Sequence, residues 1–122
     1  MNTEEKSKQQ IAEVAERFFS GHMSLKPESI EVDIHSDGVV VTLIRVFLQA
    51  ETAYIQDASS CDRLERFYKD SYDASKRIFE TALGKVYPQR ITGSYLSTLP
   101  SLGRCVIVVS ICSNATKGTK LN

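Results

Sequence analysis

The stretch Ser29-Ile30-Glu31-Val32-Asp33-Ile34-His35-Ser36-Asp37-Gly38-Val39-Val40-Val41-Thr42-Leu43-Ile44-Arg45-Val46-Phe47 decides the fold. Its first part alternates. Ile30, Val32 and Ile34 point one way, and Glu31, Asp33 and His35 point the other, the pattern of a half-buried strand. Asp37-Gly38 then separates two apolar runs, a strong tight-turn signal. Val39 to Phe47 reads as the returning strand. One of its faces is Val39, Val41, Leu43, Arg45 and Phe47; the other is Val40, Thr42, Ile44 and Val46, so both are mostly apolar.

Working back towards the N-terminus, residues 4–20 read as a helix. Ile11, Val14, Ala15, Phe18 and Phe19 recur at helical spacing with Glu, Lys and Gln between them. Thr3 is a candidate N-cap, Gly21 sits where a helix-ending glycine belongs, and Pro27 marks a loop.

Working forward, residues 50–56 suggest a short helical turn. Ser59 and Ser60 offer N-cap oxygens, with Asp62 in a capping-box-like position, for a long helix that runs to Val86. Its apolar stripe is Leu64, Phe67, Tyr68, Tyr72, Ile78, Phe79, Ala82, Leu83 and Val86. Opposite charges four apart, such as Glu65 with Lys69 and Lys76 with Glu80, line the rest. Pro88 stops the helix. Arg90 to Leu99 is a third strand interrupted by Gly93, Pro100-Ser101-Leu102-Gly103 a turn, and Arg104 to Cys112 a fourth strand, again apolar on both faces. Residues 113–122 read as a polar, frayed tail.

The order is helix, hairpin, long helix, hairpin (αββαββ). The expected fold is a single α+β domain over residues 1–112, with one four-stranded sheet and helices packed on it. Strand order stays open, because the crossover through the long helix can set strands 2 and 3 side by side or keep the hairpins apart. A sheet with one solvated face should alternate, and strands 2 and 4 do not. Either helices cover both faces or a second subunit covers one; the expectation taken is a homodimer or higher homo-oligomer.

Composition narrows the function classes. The 122 residues suffice for one core, and 42 % hydrophobic with 25 % charged residues is ordinary for a globular domain. Lys plus Arg and Asp plus Glu are 15 each, so the net charge is zero, which argues against nucleic-acid binding through bulk charge. The start Met1-Asn2-Thr3-Glu4-Glu5-Lys6 lacks an apolar core, so no secretory signal is expected. The longest apolar stretch, Val39 to Leu48, is far shorter than the about 20 residues a spanning helix needs. Cys61, Cys105 and Cys112 are odd in number and show no CxxC, which suits reduced cytosolic thiols rather than disulfides or zinc.

Few residues stand out as chemical candidates. Cys61 opens the long helix, where backbone amides lower a thiol pKa, although Asp57 and Asp62 oppose thiolate formation. Cys105 and Cys112 read as core. Glu31, Asp33 and His35 share one strand face, a weak cation-binding pattern; His22 is the other histidine. The six glycines are scattered and form no phosphate loop. Tyr68 and Tyr72 read as core aromatics. The central strands carry Val and Ile where an RNA-stacking sheet would carry aromatics.

The segments Pro27-Glu28-Ser29-Ile30-Glu31-Val32, Gly38-Val39-Val40-Val41-Thr42-Leu43 and Ala50-Glu51 resemble, in order and spacing, the MpsC-like family. These are small bacterial proteins named after a component of a sodium-translocating, membrane-potential-generating system. The likeness extends over most of residues 5–112. The chain departs from the family pattern at Thr42, Arg45 and Gln49, where the family has arginine, glycine and proline. The resemblance implies a cytosolic partner of a membrane system for sodium or inorganic-carbon physiology, and no catalytic mechanism.

The expectation is therefore a cytoplasmic, non-catalytic accessory or regulatory interaction protein. It would use no cofactor or metal, bind no nucleic acid and not span a membrane. Two alternatives belong to other classes: a thiol-dependent redox sensor or enzyme centred on Cys61, and a small-ligand-binding regulator with its pocket between the long helix and the sheet. Thiol labelling at neutral pH separates the first from an interaction protein. The expected outcome is no selective fast reaction at Cys61 and unchanged behaviour of Cys61→Ser; rapid labelling confined to Cys61 would reverse the assignment.

Overall fold

The computed structural model describes residues 3–23, 25–44, 58–99 and 103–112, with the side chains of residues 3, 58–61 and 99 left aside. The element order is α1 (Thr3–His22), β1 (Ser29–His35), β2 (Gly38–Ile44), α2 (Ala58–Val86), β3 (Arg90–Leu99) and β4 (Arg104–Cys112). This is the expected αββαββ arrangement. The short turn over residues 50–56, the end of the second strand beyond Ile44, and the 113–122 tail lie outside the described residues.

In α1 the apolar positions Ile11, Val14, Ala15, Phe18 and Phe19 are all buried, as their spacing requires. The Met23 and Leu25 amides both donate to the Phe19 carbonyl, at 3.3 and 2.9 Å, and close the helix. Gly21 therefore lies in the last helical turn rather than just beyond it, a correction to the expected C-cap.

The β1–β2 hairpin is antiparallel, with His35 paired to Gly38, so its two-residue loop is Ser36-Asp37. Gly38 is not needed there for a left-handed backbone, since the positive φ among the described glycines belongs to Gly103, at 67°. Its reason is space. A Cβ at Gly38 would stand 2.7 Å from the Val109 carbonyl oxygen on β4. Next to it, the Ile111 amide donates to the Asp37 carbonyl at 3.2 Å, so β4 grips the turn itself.

Helix α2 starts at Ala58, which puts Ser59 and Ser60 inside its first turn instead of ahead of it. Tyr68, Tyr72, Phe79 and Leu83 form its buried line. Phe67 and Ile78, expected in that line, are 61 % and 49 % exposed. Each precedes a buried neighbour by one residue, a turn of about 100° around the helix, and so falls on the flank. Their spacing of eleven residues brings the pair back to nearly the same side.

The strands form one antiparallel sheet in the order β1-β2-β4-β3. The inner strands of the two hairpins pair with each other, and the α2 crossover skips one strand. Both helices lie on one face, α1 along β1 and α2 along β3. Phe18 joins them: its ring meets Tyr72 edge-on at 5.8 Å and Phe79 at 5.2 Å. Below sit Val39, Val41, Leu43, Cys105, Ile107 and Val109, all buried. The helices do not divide between the two faces, so the opposite face has no helix on it among the described residues. No described helix is long and apolar enough to cross a membrane.

Two glycine substitutions test this architecture by urea unfolding. Gly38→Ala should destabilise the fold by about 1–3 kcal/mol, the cost of forcing a methyl against the β4 backbone. Gly84→Ala, in an exposed part of α2 with nothing within 4 Å of the added carbon, should stabilise it by roughly 0.5–1 kcal/mol.

Candidate functional site

Register assigns every strand residue to a face. On the helix-free face the rows run across all four strands. Asp33, Val40, Val108 and Tyr95 form one row; Glu31, Thr42, Val106 and Ser97 form the next. Ile44 and Arg104 belong to a third row at one end, and Cys112 and Arg90 to a row at the other. The centre is apolar: Val40, Ile44, Val106 and Val108 are only half-buried by their neighbours. Tyr95 is 57 % exposed at the edge of this patch. Charge divides across it, with Glu31 and Asp33 exposed on β1 and with Arg90 and Arg104 exposed on β3 and β4.

A second feature is a cleft between the helices, about 120 Å³ in volume, lined by Val14, Arg17, Phe18, His22, Ile78, Phe79 and Ala82. The His22 ring stacks on Phe18 with centroids 5.6 Å apart. This cleft is helix against helix, so it does not occupy the helix–sheet position expected for a ligand pocket.

A third feature ties α2 to β3. The Tyr72 hydroxyl hydrogen-bonds Ser94 Oγ at 2.6 Å, and Ser94 Oγ donates to Glu80 Oε2 at 2.5 Å. With the serine proton committed to the carboxylate, Tyr72 is the donor to Ser94. Burial, more than the nearby Glu80 and Asp73 charges, drives the Tyr72 pKa far above the ordinary tyrosine value. Ser94 is a polar residue at an inward strand position, and that mismatch was the one sequence signal for this chain of hydrogen bonds.

The residues singled out from sequence are not brought together. Cys61 belongs by its backbone to the first turn of α2, and its side chain lies outside the described residues. Cys105 is buried in the core, whereas Cys112, expected beside it, is half-buried on the helix-free face. Glu31, Asp33 and His35 line the exposed side of edge strand β1. No group of three or more His, Cys, Asp or Glu side chains placed to hold a metal occurs among the described residues. Tyr68 and Tyr72 are core, while the exposed aromatic on the sheet is Tyr95, on an edge strand rather than a central one. The chain matches no family model, no curated protein and no solved structure.

Tyr72 has a measurable consequence. A folded-state pKa above the unfolded value means the folded state keeps its proton longer. The stabilisation is complete below about pH 10 and is lost as pH rises from there through the folded pKa. Alkaline titration should show a tyrosine ionisation far above the ordinary range that disappears in Tyr72→Phe, with stability declining above about pH 10. Tyr72→Phe should flatten part of that decline and, at neutral pH, cost about 0.5–1.5 kcal/mol for the lost hydrogen bond.

Proposed function

We propose that this chain is an interaction protein that acts by binding rather than turnover, and that it self-associates through the helix-free face of its sheet. The observation that supports this is the apolar centre of that face, Val40, Val106 and Val108, which no helix covers among the described residues although strands β2 and β4 are apolar on both sides. Self-association leaves the helix side, with Phe67, Ile78 and the α1–α2 cleft, for a different partner.

The MpsC-like resemblance of residues 27–51 extends this reading to an accessory or regulatory role in the cytoplasm, beside a membrane system that moves sodium or inorganic carbon. That extension rests on the resemblance, and the self-association rests on the sheet.

Light scattering at several concentrations, near-neutral pH and moderate salt tests the reading. The chain should run at twice its monomer mass or more. Val108→Asp should return it to monomer with its circular dichroism spectrum intact, since a solvated charge is tolerated on an exposed face and not inside an apolar contact. A wild-type monomer at high concentration would overturn self-association.

A further inference from the structure

Two copies meeting face to face can be related by a two-fold axis in either of two directions within the sheet plane. An axis across the strands lays β1 on the partner's β1. An axis along the strands, between β2 and β4, lays β1 on the partner's β3. The charges of the face distinguish these. The first arrangement sets Glu31 and Asp33 against the same two carboxylates of the other copy, and like charges facing each other across an interface are repelled. The second sets them against the half of the face that carries Arg90, Arg104 and Tyr95 and no acidic residue.

The row Asp33-Val40-Val108-Tyr95 is complementary to itself when turned end for end. Asp33 then faces Tyr95 of the second copy, and Val40 faces its Val108, in both halves at once. The next row sets Glu31 over Ser97, with Arg104 one row away on the neighbouring strand.

The area is sufficient. Strands about 4.8 Å apart with a rise of about 3.3 Å per residue give a face of roughly 500 Å². Two such faces bury on the order of 1,000 Å², the lower bound for a specific contact between proteins.

We propose that the partner on this face is a second copy of the chain, docked about a two-fold axis parallel to the strands, with β1 over the partner's β3 and Asp33 accepting a hydrogen bond from its Tyr95. Rigid aligned packing of two sheets, about 10 Å apart and turned by about 30°, accommodates this arrangement. The proposal rests on the self-association inferred above and fixes its geometry.

The test is a photo-crosslink in the full chain. Tyr95 is replaced by benzoylphenylalanine, the protein is mixed with its ¹⁵N-labelled form and irradiated, and adducts are mapped by mass spectrometry. The expected adduct joins position 95 of one copy to residues 29–35 of the other. An adduct between two β3 strands, or one confined to a single copy, overturns the geometry. So does the absence of an adduct in a sample that light scattering shows to be dimeric. A wild-type sample that light scattering shows to be monomeric overturns the self-association itself.

A second measurement examines the polar pair. Asp33→Ala and Tyr95→Phe should each raise the dimer dissociation constant about a hundredfold, because the two-fold axis makes the pair twice and each hydrogen bond to a charged group is worth about tenfold. The double variant should lose little more than either alone, and full additivity would overturn the pairing.

Discussion

The pairing of β2 with β4 is the constraint on which the structure depends. It joins two hairpins that are separated in sequence by a 29-residue helix. Once Val41 is set opposite Ile107, the alternation of every strand is fixed. Val39, Val41, Leu43, Cys105, Ile107 and Val109 go under the helices, and Val40, Val106 and Val108 go to the other side. The close approach of Gly38 to the Val109 carbonyl and the grip of Ile111 on Asp37 belong to this same junction. A residue with any side chain at 38 would push apart the strands that hold the hairpins together.

Much of this was legible from residue order. The alternation of Ile30, Val32 and Ile34, and the double-sided apolarity of the second and fourth strands, gave the sheet, and the expected bounds of β1, β3 and β4 match those observed. Helical spacing gave both helices. What stayed hidden depends on contacts between distant segments. The spacing of Phe67 and Ile78 is compatible with a buried stripe, but α2 turns Tyr68, Tyr72, Phe79 and Leu83 inward and leaves those two on its flank. Gly38 reads as a turn residue, whereas its role is set by a strand some seventy positions away. Strand order could not be read, because both hairpins are locally complete whichever neighbour they take.

The candidate surface was legible in part. Two strands apolar on both sides demand a second cover, and the described residues supply a helix layer on one side. Which charges frame the patch needed the register, since Asp33 and Tyr95 fall in one row although sixty-two positions separate them. The hydrogen-bonded chain from Tyr72 through Ser94 to Glu80 needed the packing of α2 on β3. It ties the middle of α2 to β3 on the helix side of the sheet.

The bulge in β3 bears on a different hazard. Between Ile91 and Gly93 the register slips by one, and the Thr92 hydroxyl donates to the Ser110 carbonyl at 3.2 Å. The outer strand β3 is thus irregular, while the other edge strand, β1, carries exposed Glu31, Asp33 and His35. Irregular or charged margins are poor templates for another strand. Edges of this kind resist the open-ended, amyloid-like strand addition to which a regular apolar edge is exposed.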